Sequence, residues 1–322
     1  MKIKTKAFLI LALSLVLVGV IILGVFTCIV KWDFSKFSTV RYQTNEYEIS
    51  ENFESIDIST LTADVVIVPT QNHTASVVCY EQEKVLHSVT VEEQTLKIKA
   101  KDNRKWFEYL VFNFKTPKIT LSVPQGDYRN LLIKSKTGDV KIESGITFAN
   151  VNVSTKTGSV GLLASASNDI KIKTSTGNIS VQELSAKNIS LSVSTGKITL
   201  SNVNCSGDIS TKVSTGYTKI TNVNCANLTS FGDTGDLYMK NVLATNKFTI
   251  ERDTGYVKLE LCDANSLDIE TDTGSVRCTL LSDKIFIIET DTGHVNVPST
   301  TTGGVCKIST DTGNIIVSIV NS

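Results

Sequence analysis

The sequence predicts an all-β protein, a parallel β-solenoid of about ten coils that follows a single N-terminal transmembrane helix. A Thr-Gly pair recurs ten times at intervals of 19 or 20 residues. Apolar and polar residues alternate on both sides of each pair, and a charge-free apolar run lies near the N-terminus. Repeats of this period are typical of solenoids, in which each coil buries its apolar side against its neighbours.

The apolar run covers residues 7–30 and follows Lys2, Lys4 and Lys6. At about 1.5 Å per residue a helix of this length spans a bilayer, and no small-residue cleavage site follows it. We therefore predict an uncleaved signal anchor after a cytoplasmic stub (1–6). The lysines favour a cytoplasmic N-terminus, which predicts a single-pass protein of the cell membrane with an extracytoplasmic C-terminal body.

After the anchor we predict a spacer (31–45), a non-repetitive β region (46–127) and the solenoid (128–322). The β region contains strand-like segments separated by Pro, Asn, Gln and Gly, which are typical of turns. We expect it to form the first irregular coils and to cap the membrane-proximal end of the core. The last coil has no residues after it, which predicts an exposed C-terminal edge that pairs with another chain.

Each coil is predicted to contain one strand on either side of the Thr-Gly pair. Val140 and Ile142 follow the first pair, for example, and Ile170 and Ile172 precede the third, with lysine or aspartate adjacent. β-Branched residues at a period of two predict strands with one buried face. Glycine suits the turn because it adopts positive φ without a Cβ clash. The ten turn glycines are Gly138, Gly158, Gly177, Gly196, Gly216, Gly235, Gly255, Gly274, Gly293 and Gly313.

Several segments carry a family resemblance: residues 53–58 (FESIDI), 63–69 (ADVVIVP), 95–98 (TLKI) and 119–124 (ITLSVP), together with the repeated Thr-Gly-x-[Val/Ile] units. With these segments the chain resembles the bacterial "putative adhesin" family of unknown function, whose members are exported β-strand-repeat proteins. The resemblance implies a right-handed β-helix, a cell-surface setting and an association with envelope stress.

Five of the turns read Asp-Thr-Gly. An aspartic protease needs two such motifs in facing lobes, and a column of five on one wall does not provide them. The aspartates are expected either to cap the turns by accepting backbone N–H groups or to form weak surface calcium sites, because calcium prefers oxygen ligands. Threonines spaced as Thr155 and Thr157 are expected to continue the buried stripe. The five aspartates are Asp233, Asp253, Asp272, Asp291 and Asp311.

An aromatic-rich segment lies late in the β region. Exposed aromatic clusters are typical of interaction surfaces, so the segment is predicted to contact a partner or a membrane surface. The alternative is that its rings cap the apolar end of the rod. The residues are Trp106, Phe107, Tyr109, Phe112 and Phe114.

Motifs for catalysis are missing from the sequence. The three histidines stand apart from the cysteines, and neither a zinc motif, a phosphate loop nor a nucleophile elbow occurs. A net charge of +0 gives no basic excess for nucleic acid. The seven cysteines are interpreted as small apolar core residues. We therefore predict a non-enzymatic protein without a cofactor.

The predicted function is that of a membrane-anchored extracytoplasmic solenoid for binding, adhesion or scaffolding at the bacterial cell envelope. Its predicted partners are the membrane, through the N-terminal helix, a cell-wall polymer or envelope protein, and a second copy at the C-terminal edge. The alternative is a polysaccharide-active β-helix enzyme, because Asp, Lys and Arg side chains on an outer face are sufficient for such chemistry.

Overall fold

The computed structural model describes residues 2–29, 40–106 and 115–320. Within them the chain forms one helix, α1 (Lys2–Ile29), and 25 strands joined in one continuous sheet. The predicted all-β solenoid with an N-terminal apolar helix is therefore confirmed. Of the described helical residues, Phe8–Ile29 are long and apolar enough to cross a membrane, and none of that span is buried in the protein.

Seven strands precede the repeats: β1 (Tyr42–Ile49), β2 (Ser55–Thr60), β3 (Asp64–Thr70), β4 (Ala75–Gln82), β5 (Val85–Glu92), β6 (Thr95–Asp102) and β7 (Lys118–Pro124). β2 and β3 form a coil that pairs in parallel with β6 and β7 on one side and with the first repeat on the other. β1, β4 and β5 run antiparallel over this end. β1 begins inside the segment predicted as spacer, where Tyr42 stacks on Tyr80 with ring centroids 4.9 Å apart.

The repeats up to Leu280 form parallel ladders in which equal positions of successive coils pair. Val151, for example, lies between Leu131 and Ile170, and all three are buried. Their strands are β8 (Asp127–Thr137), β9 (Val140–Ile142), β10 (Thr147–Thr157), β11 (Val160–Leu162), β12 (Ser165–Ala166), β13 (Asp169–Thr176), β14 (Ile179–Ala186), β15 (Asn188–Thr195), β16 (Ile198–Cys205), β17 (Asp208–Thr215), β18 (Thr218–Thr234), β19 (Leu237–Thr254), β20 (Val257–Thr273) and β21 (Val276–Leu280).

The Thr-Gly turns stack so closely that only glycine fits. Gly196 has φ of 145°, and a Cβ atom added to it would overlap the carbonyl oxygen of Gly177 in the preceding coil. The amide of Gly196 donates to the carbonyl of Thr215 in the following coil at 2.9 Å. At all ten turn glycines an added Cβ atom would meet a backbone carbonyl oxygen of a neighbouring coil. At the first six, from Gly138 to Gly235, φ is also between 132° and 145°, a conformation that L side chains rarely adopt.

The two threonines of a Thr-x-Thr triplet face opposite environments. Thr155 is buried, whereas Thr157 is exposed. The ladder pairs Thr155 with Thr174 and Thr157 with Thr176 but omits the residue between them. This irregularity breaks the period of two just before the glycine, so the expectation that both threonines continue the buried stripe is wrong for the second one.

A second corner lies six residues after five of the turn glycines, at Glu183, Asn202, Asn222, Asn241 and Leu261. Asn202, Asn222 and Asn241 occupy this corner with φ between 52° and 54°, a left-handed conformation that asparagine tolerates better than most residues. Their side chains form a ladder, since the Asn222 amide donates to Asn202 at 2.9 Å and the Asn241 amide to Asn222 at 3.0 Å. The bend turns the chain from the second strand segment of the coil into a third.

The two C-terminal coils are stacked out of chain order. Their strands are β22 (Lys284–Thr292), β23 (Val295–Asn296), β24 (Gly304–Thr312) and β25 (Ile315–Ile319). β24 pairs with β20 on one side and β22 on the other, and β25 lies likewise between β21 and β23. The prediction that the last coil forms the exposed edge is therefore wrong. The edge belongs to β22 and β23, the coil before it.

Glycines and an ion pair accommodate the inserted coil. Gly304 lies in register with Lys284, and a Cβ atom there would overlap the carbonyl of Asn265 in β20. Because Gly304 has no side chain, Lys284 reaches past it, and its Nζ lies 2.7 Å from Asp263 Oδ1. This ion pair joins the terminal coil to β20 across the inserted one. The Lys284 side chain is only 4% exposed, so solvent screens the pair weakly.

One coil carries an arginine inside the apolar interior. Arg252 is 2% exposed, and its guanidinium donates to the Ser230 carbonyl at 3.0 Å and the Ser230 hydroxyl at 2.7 Å. Burial lowers the pKa of Arg252 to about 10. Its register neighbour in β18 is Gly232, where a Cβ atom would collide with the guanidinium. Because Gly232 has no side chain, the large side chain of Arg252 in the next coil has room beside it.

We expect Gly196→Ala to destabilise the body by at least about 2 kcal/mol, because the new methyl group meets a backbone carbonyl and the φ is strained. Gly161→Ala is the matched control, since the nearest atom to its Cβ is the flexible Lys141 Cγ at 4.0 Å. Urea unfolding followed by circular dichroism measures both. Equal midpoints for the two variants would contradict the stacked glycine column.

Spin labels test the coil order. β24 lies between β20 and β22, and its Ser309 is in register with Glu270 of β20 on one side and with Glu289 of β22 on the other. Labels at Glu270→Cys and Ser309→Cys should show strong dipolar broadening, because adjacent strands lie about 4.8 Å apart. Labels at Glu270→Cys and Glu289→Cys should show weaker dipolar broadening, because β24 lies between their strands. The background is Cys28→Ser, since the other native thiols are buried. The opposite ranking would mean that the coils stack in chain order.

Candidate functional site

The outer surface of the second strand segments carries tyrosines interleaved with cationic side chains. We call this surface the Tyr–Lys face. It is formed by residues that lie one, three or five positions after the turn glycines from Gly196 to Gly274. These residues belong to β16, β18, β19, β20 and β21 or directly precede them. Its aromatic and cationic residues are Lys197, Tyr217, Lys219, Tyr238, Lys240, Tyr256, Lys258 and Arg277.

The register of the ladders arranges these residues in columns. Tyr238 lies between Lys219 and Lys258 in adjacent coils, so each neighbour of this ring along the rod is a lysine. Tyr217 and Tyr256 occupy the equivalent position two coils apart, about 10 Å at the usual strand spacing. Tyr217 is 39% and Tyr238 38% exposed, so both rings are available to a ligand.

Local contacts hold the rings in place. Lys197 Nζ lies 5.8 Å from the centroid of the Tyr217 ring, within the range of cation–π attraction. Tyr238 donates its hydroxyl hydrogen to Asp236 at 2.8 Å, which raises the pKa of Tyr238. The other oxygen of Asp236 accepts the backbone amide of Tyr256 at 2.9 Å. Asp236 therefore orders two of the three tyrosines.

A shallow groove of about 400 Å³ crosses the face between Tyr217, Tyr238 and Lys258. Glu260 borders it and forms an ion pair with Lys258, which lowers the pKa of Glu260. Five cationic side chains outnumber the two carboxylates on the face. The surface therefore combines apolar rings with a positive potential, which favours anionic ligands that have flat apolar sides.

The first strand segments of the last five coils present an acidic face. The five predicted aspartates are exposed on it. Among the residues described, none of the five accepts a hydrogen bond, so the expectation that they cap the turns is wrong. The capping oxygens belong to the residue after the glycine, as in Asp139, which accepts the Ser159 amide at 2.7 Å. The acidic residues are Asp233, Glu251, Asp253, Asp268, Glu270, Asp272, Glu289, Asp291 and Asp311.

The predicted calcium sites are not tested by this geometry and stay a prediction. No three carboxylates of the described part of the acidic face bring ligand atoms within 4.8 Å of one another. In the predicted aromatic segment, Trp106 is 80% exposed. Phe107, Tyr109, Phe112 and Phe114 lie outside the described residues, so their predicted role as an interaction surface also stays a prediction.

Comparison with known proteins identifies the family of this fold. The model of the Toastrack DUF4097 family matches residues 53–212 and 204–322, which include both faces. The chain belongs to this family. No protein of curated function matches it.

Three solved structures are similar to this chain. A "putative adhesin" from Bacteroides fragilis is 17% identical, with 87% of this chain and 97% of that one covered and a TM-score of 0.43. A "putative lipid binding protein" from Parabacteroides distasonis is 18% identical, covering 75% and 98%, with a TM-score of 0.49. A "putative adhesin" from the same species is 13% identical, covering 74% and 98%, with a TM-score of 0.42. Likeness this distant does not transfer a function.

The chain also contains a buried polar cluster that sequence reasoning missed. Cys79, Glu81 and His87 lie on the antiparallel strands β4 and β5, with ligand atoms within 4.8 Å of one another. Glu81 accepts the His87 backbone amide at 2.7 Å and lies 2.6 Å from His87 Nδ1, and its other oxygen accepts from Asn45 at 2.6 Å. His87 Nε2 lies 3.0 Å from the Thr60 hydroxyl. The interpretation of His87 as isolated is therefore wrong.

This cluster is suited to structure rather than catalysis. Glu81 is 0% and His87 4% exposed, so a substrate does not reach them. Burial, with Glu81 nearby, raises the pKa of the Cys79 thiol to about 12, which keeps it protonated and a poor nucleophile at neutral pH. The hydrogen bonds instead join β1, β2, β4 and β5 at the capped end.

No short motif marks the Tyr–Lys face, because its residues are spread over coils 19 or 20 residues apart. Aligning the coils on their glycines would have revealed it: Tyr217 and Tyr256 both follow a turn glycine directly, and Lys219, Tyr238 and Lys258 share the third position.

We expect Glu81→Gln to destabilise the body by about 2 kcal/mol, because the amide –NH2 that replaces one carboxylate oxygen cannot accept a hydrogen bond, which leaves a buried donor of Asn45 or His87 without its acceptor. Glu92→Gln is the control. Glu92 pairs with Lys97 at 2.7 Å at the surface, where water screens the pair, and its loss should leave the urea midpoint unchanged. A Glu81→Gln variant as stable as wild type would mean that the cluster does not hold the cap.

Proposed function

We propose that this chain is a membrane-anchored extracytoplasmic solenoid that acts as a non-enzymatic binding protein at the bacterial cell envelope, with the Tyr–Lys face as its binding surface. The observation that carries the proposal is the column in which Tyr238 stands between Lys219 and Lys258. Exposed rings flanked by cations provide stacking and charge together, and a rigid sheet presents them at little entropic cost.

The anchoring part of the proposal is supported by α1. Its apolar residues Phe8–Ile29 are exposed, as expected for a helix whose partner is lipid. Lys2, Lys4 and Lys6 precede them and favour retention of the N-terminus in the cytoplasm. The body would then project from the outer side of the membrane, in the cell-surface setting that the resemblance to the putative adhesin family implies.

The non-enzymatic part is supported by the two carboxylates of the face. A glycosidase needs one protonated acid and one carboxylate around the scissile bond. Glu260 is paired with Lys258, which favours its ionised form. Asp236 already accepts hydrogen bonds from Tyr238 and the Tyr256 amide. Neither is set up as a proton donor, so binding without cleavage is the better-supported function.

Two further parts of the proposal concern the C-terminal end of the rod. β22 is the terminal strand, and Ile285 and Ile287 on it are exposed, so a second copy would pair there if the rods self-associate.

Weak calcium binding by the acidic face is proposed separately. A melting curve that is unchanged by millimolar calcium or a chelator would dispose of that idea.

The test of the main proposal is sedimentation of the full-length chain, held in detergent micelles, with insoluble cell-wall sacculi. We expect the wild type to sediment with the sacculi and the double variant Tyr217→Ala, Tyr256→Ala to lose about tenfold in affinity, as stacking contributions predict. The double variant Glu251→Gln, Glu270→Gln on the acidic face is the control and should bind as well as the wild type.

The same samples decide between binding and catalysis. A binding protein is retained on the sacculi without the release of new reducing ends. Release of reducing ends above the level of a heat-inactivated sample would replace the non-enzymatic function with the polysaccharide-active alternative. Equal retention of the Tyr217 and Tyr256 variant and the wild type would place the binding surface elsewhere on the chain.

A further inference from the structure

We infer that the Tyr–Lys face takes an anionic glycan that runs along the rod axis, with one sugar ring to each coil and one negative charge to every second ring. This inference rests on the proposed function and names the ligand class for the same surface. Its basis is the spacing of rings and charges along the solenoid, together with the distribution of charge around it.

The first argument is the spacing. Equivalent positions of adjacent coils lie about 4.8 Å apart, and an extended glycan of β-linked pyranose rings advances by a closely similar distance per ring. An extended polypeptide advances only about 3.3 Å per residue, so its side chains lose register with the columns within a few coils. A linear glycan can therefore repeat the same contacts from coil to coil.

The second argument is the alternation of rings and charges. Along one column Lys219, Tyr238 and Lys258 follow each other in register. Along the column after the glycines, Tyr217 and Tyr256 are separated by the coil of Asp236. Each pattern repeats after two coils, which is the length of a disaccharide unit. A polymer with one carboxylate or phosphate per disaccharide matches a lysine at every second coil and a stacking ring between them.

The third argument is the availability of the cations. Of the residues that the structure describes, no carboxylate lies within 4.0 Å of Lys219, Lys240 or Arg277, whereas Lys258 already has Glu260. Unpaired lysines on a rigid sheet gain an ionic partner without first breaking another. Arg277 follows Lys258 in the next coil of the same column, so the alternation of charge and ring covers the three coils of Lys219, Tyr238 and Lys258 and ends there.

The acidic face makes the binding directional. Nine carboxylates lie on the first strand segments of the last five coils, around the turn from the Tyr–Lys face. The coils of Gly235, Gly255 and Gly274 carry both faces, and in these coils a polyanion is repelled from the acidic face and attracted to the Tyr–Lys face. Binding to one side only is thus expected, and it should weaken as salt screens the exposed charges.

The test uses defined polymers and the full-length chain in detergent micelles. Hyaluronate oligosaccharides carry one carboxylate per disaccharide, chitin oligosaccharides carry none, and poly-L-glutamate carries charge without sugar rings. We expect calorimetry to show hyaluronate binding at least about tenfold tighter than either of the other two. Equal binding of poly-L-glutamate and hyaluronate would overturn the requirement for rings, and equal binding of chitin would overturn the requirement for charge.

Two charge-matched variants locate the site. Lys219→Gln with Lys258→Gln should lower hyaluronate affinity about tenfold and flatten its dependence on salt. Lys171→Gln with Lys173→Gln removes the same charge from exposed lysines on β13, which lie on the outer side of the first strand segments, and should leave binding unchanged. Equal losses in the two variants would mean that only net charge matters, against the inference.

The outcomes separate this inference from the proposed function. If the wild type sediments with sacculi through Tyr217 and Tyr256 but binds none of the three polymers, the function stands and the assignment of an axial anionic glycan fails. If neither sacculi nor the polymers are bound, both fail.

Discussion

The structure depends on the backbone hydrogen bonds that each coil forms with its two neighbouring coils. In a parallel stack the backbone donors and acceptors point along the rod, so each coil must repeat the path of the previous one closely enough to pair with it. The turn glycines show how strict this requirement is, because a single methyl group at Gly196 would meet the Gly177 carbonyl. The apolar interior follows from the same constraint, since inward positions stack on inward positions.

Stacking leaves the outer surface as the place where coils differ. Positions three after the glycine read Thr199, Lys219, Tyr238, Lys258 and Arg277 in successive coils, while the inward positions on either side stay buried and, apart from Thr218, apolar. The same backbone constraint therefore aligns the outer residues into columns of uniform spacing. A repeating ligand is the natural partner of such columns, because each coil contributes an equivalent contact and the contacts add along the rod.

The sequence was sufficient to predict the features that form within a single coil. It was insufficient to predict the features that depend on contacts between coils. The period, the strands and the apolar N-terminal helix are local properties and were predicted. The order of the last coils was not, because β22 and β24 carry the same Thr-Asp-Thr-Gly pattern and both fit against β20. The close approach of Gly304 to the Asn265 carbonyl and the ion pair of Lys284 with Asp263 both belong to the observed order. The exposure of Thr157 and the contact of His87 with Glu81 likewise depend on ladder irregularities and antiparallel pairing, which a repeat pattern does not contain.

The interior itself is not a uniform repeat, and Arg252 shows why. Its guanidinium occupies space that Gly232 vacates, and its hydrogen bonds go to Ser230, whose hydroxyl also accepts from Thr211 at 2.8 Å. Three consecutive coils thus have complementary side chains, and exchanging any one of them for its neighbour would leave either a cavity or a buried unpaired charge. Interior pairs of this kind fix which coil follows which. The order of residues in each outer column, including the alternation of tyrosine and lysine, is held by that interior complementarity together with the chain connectivity.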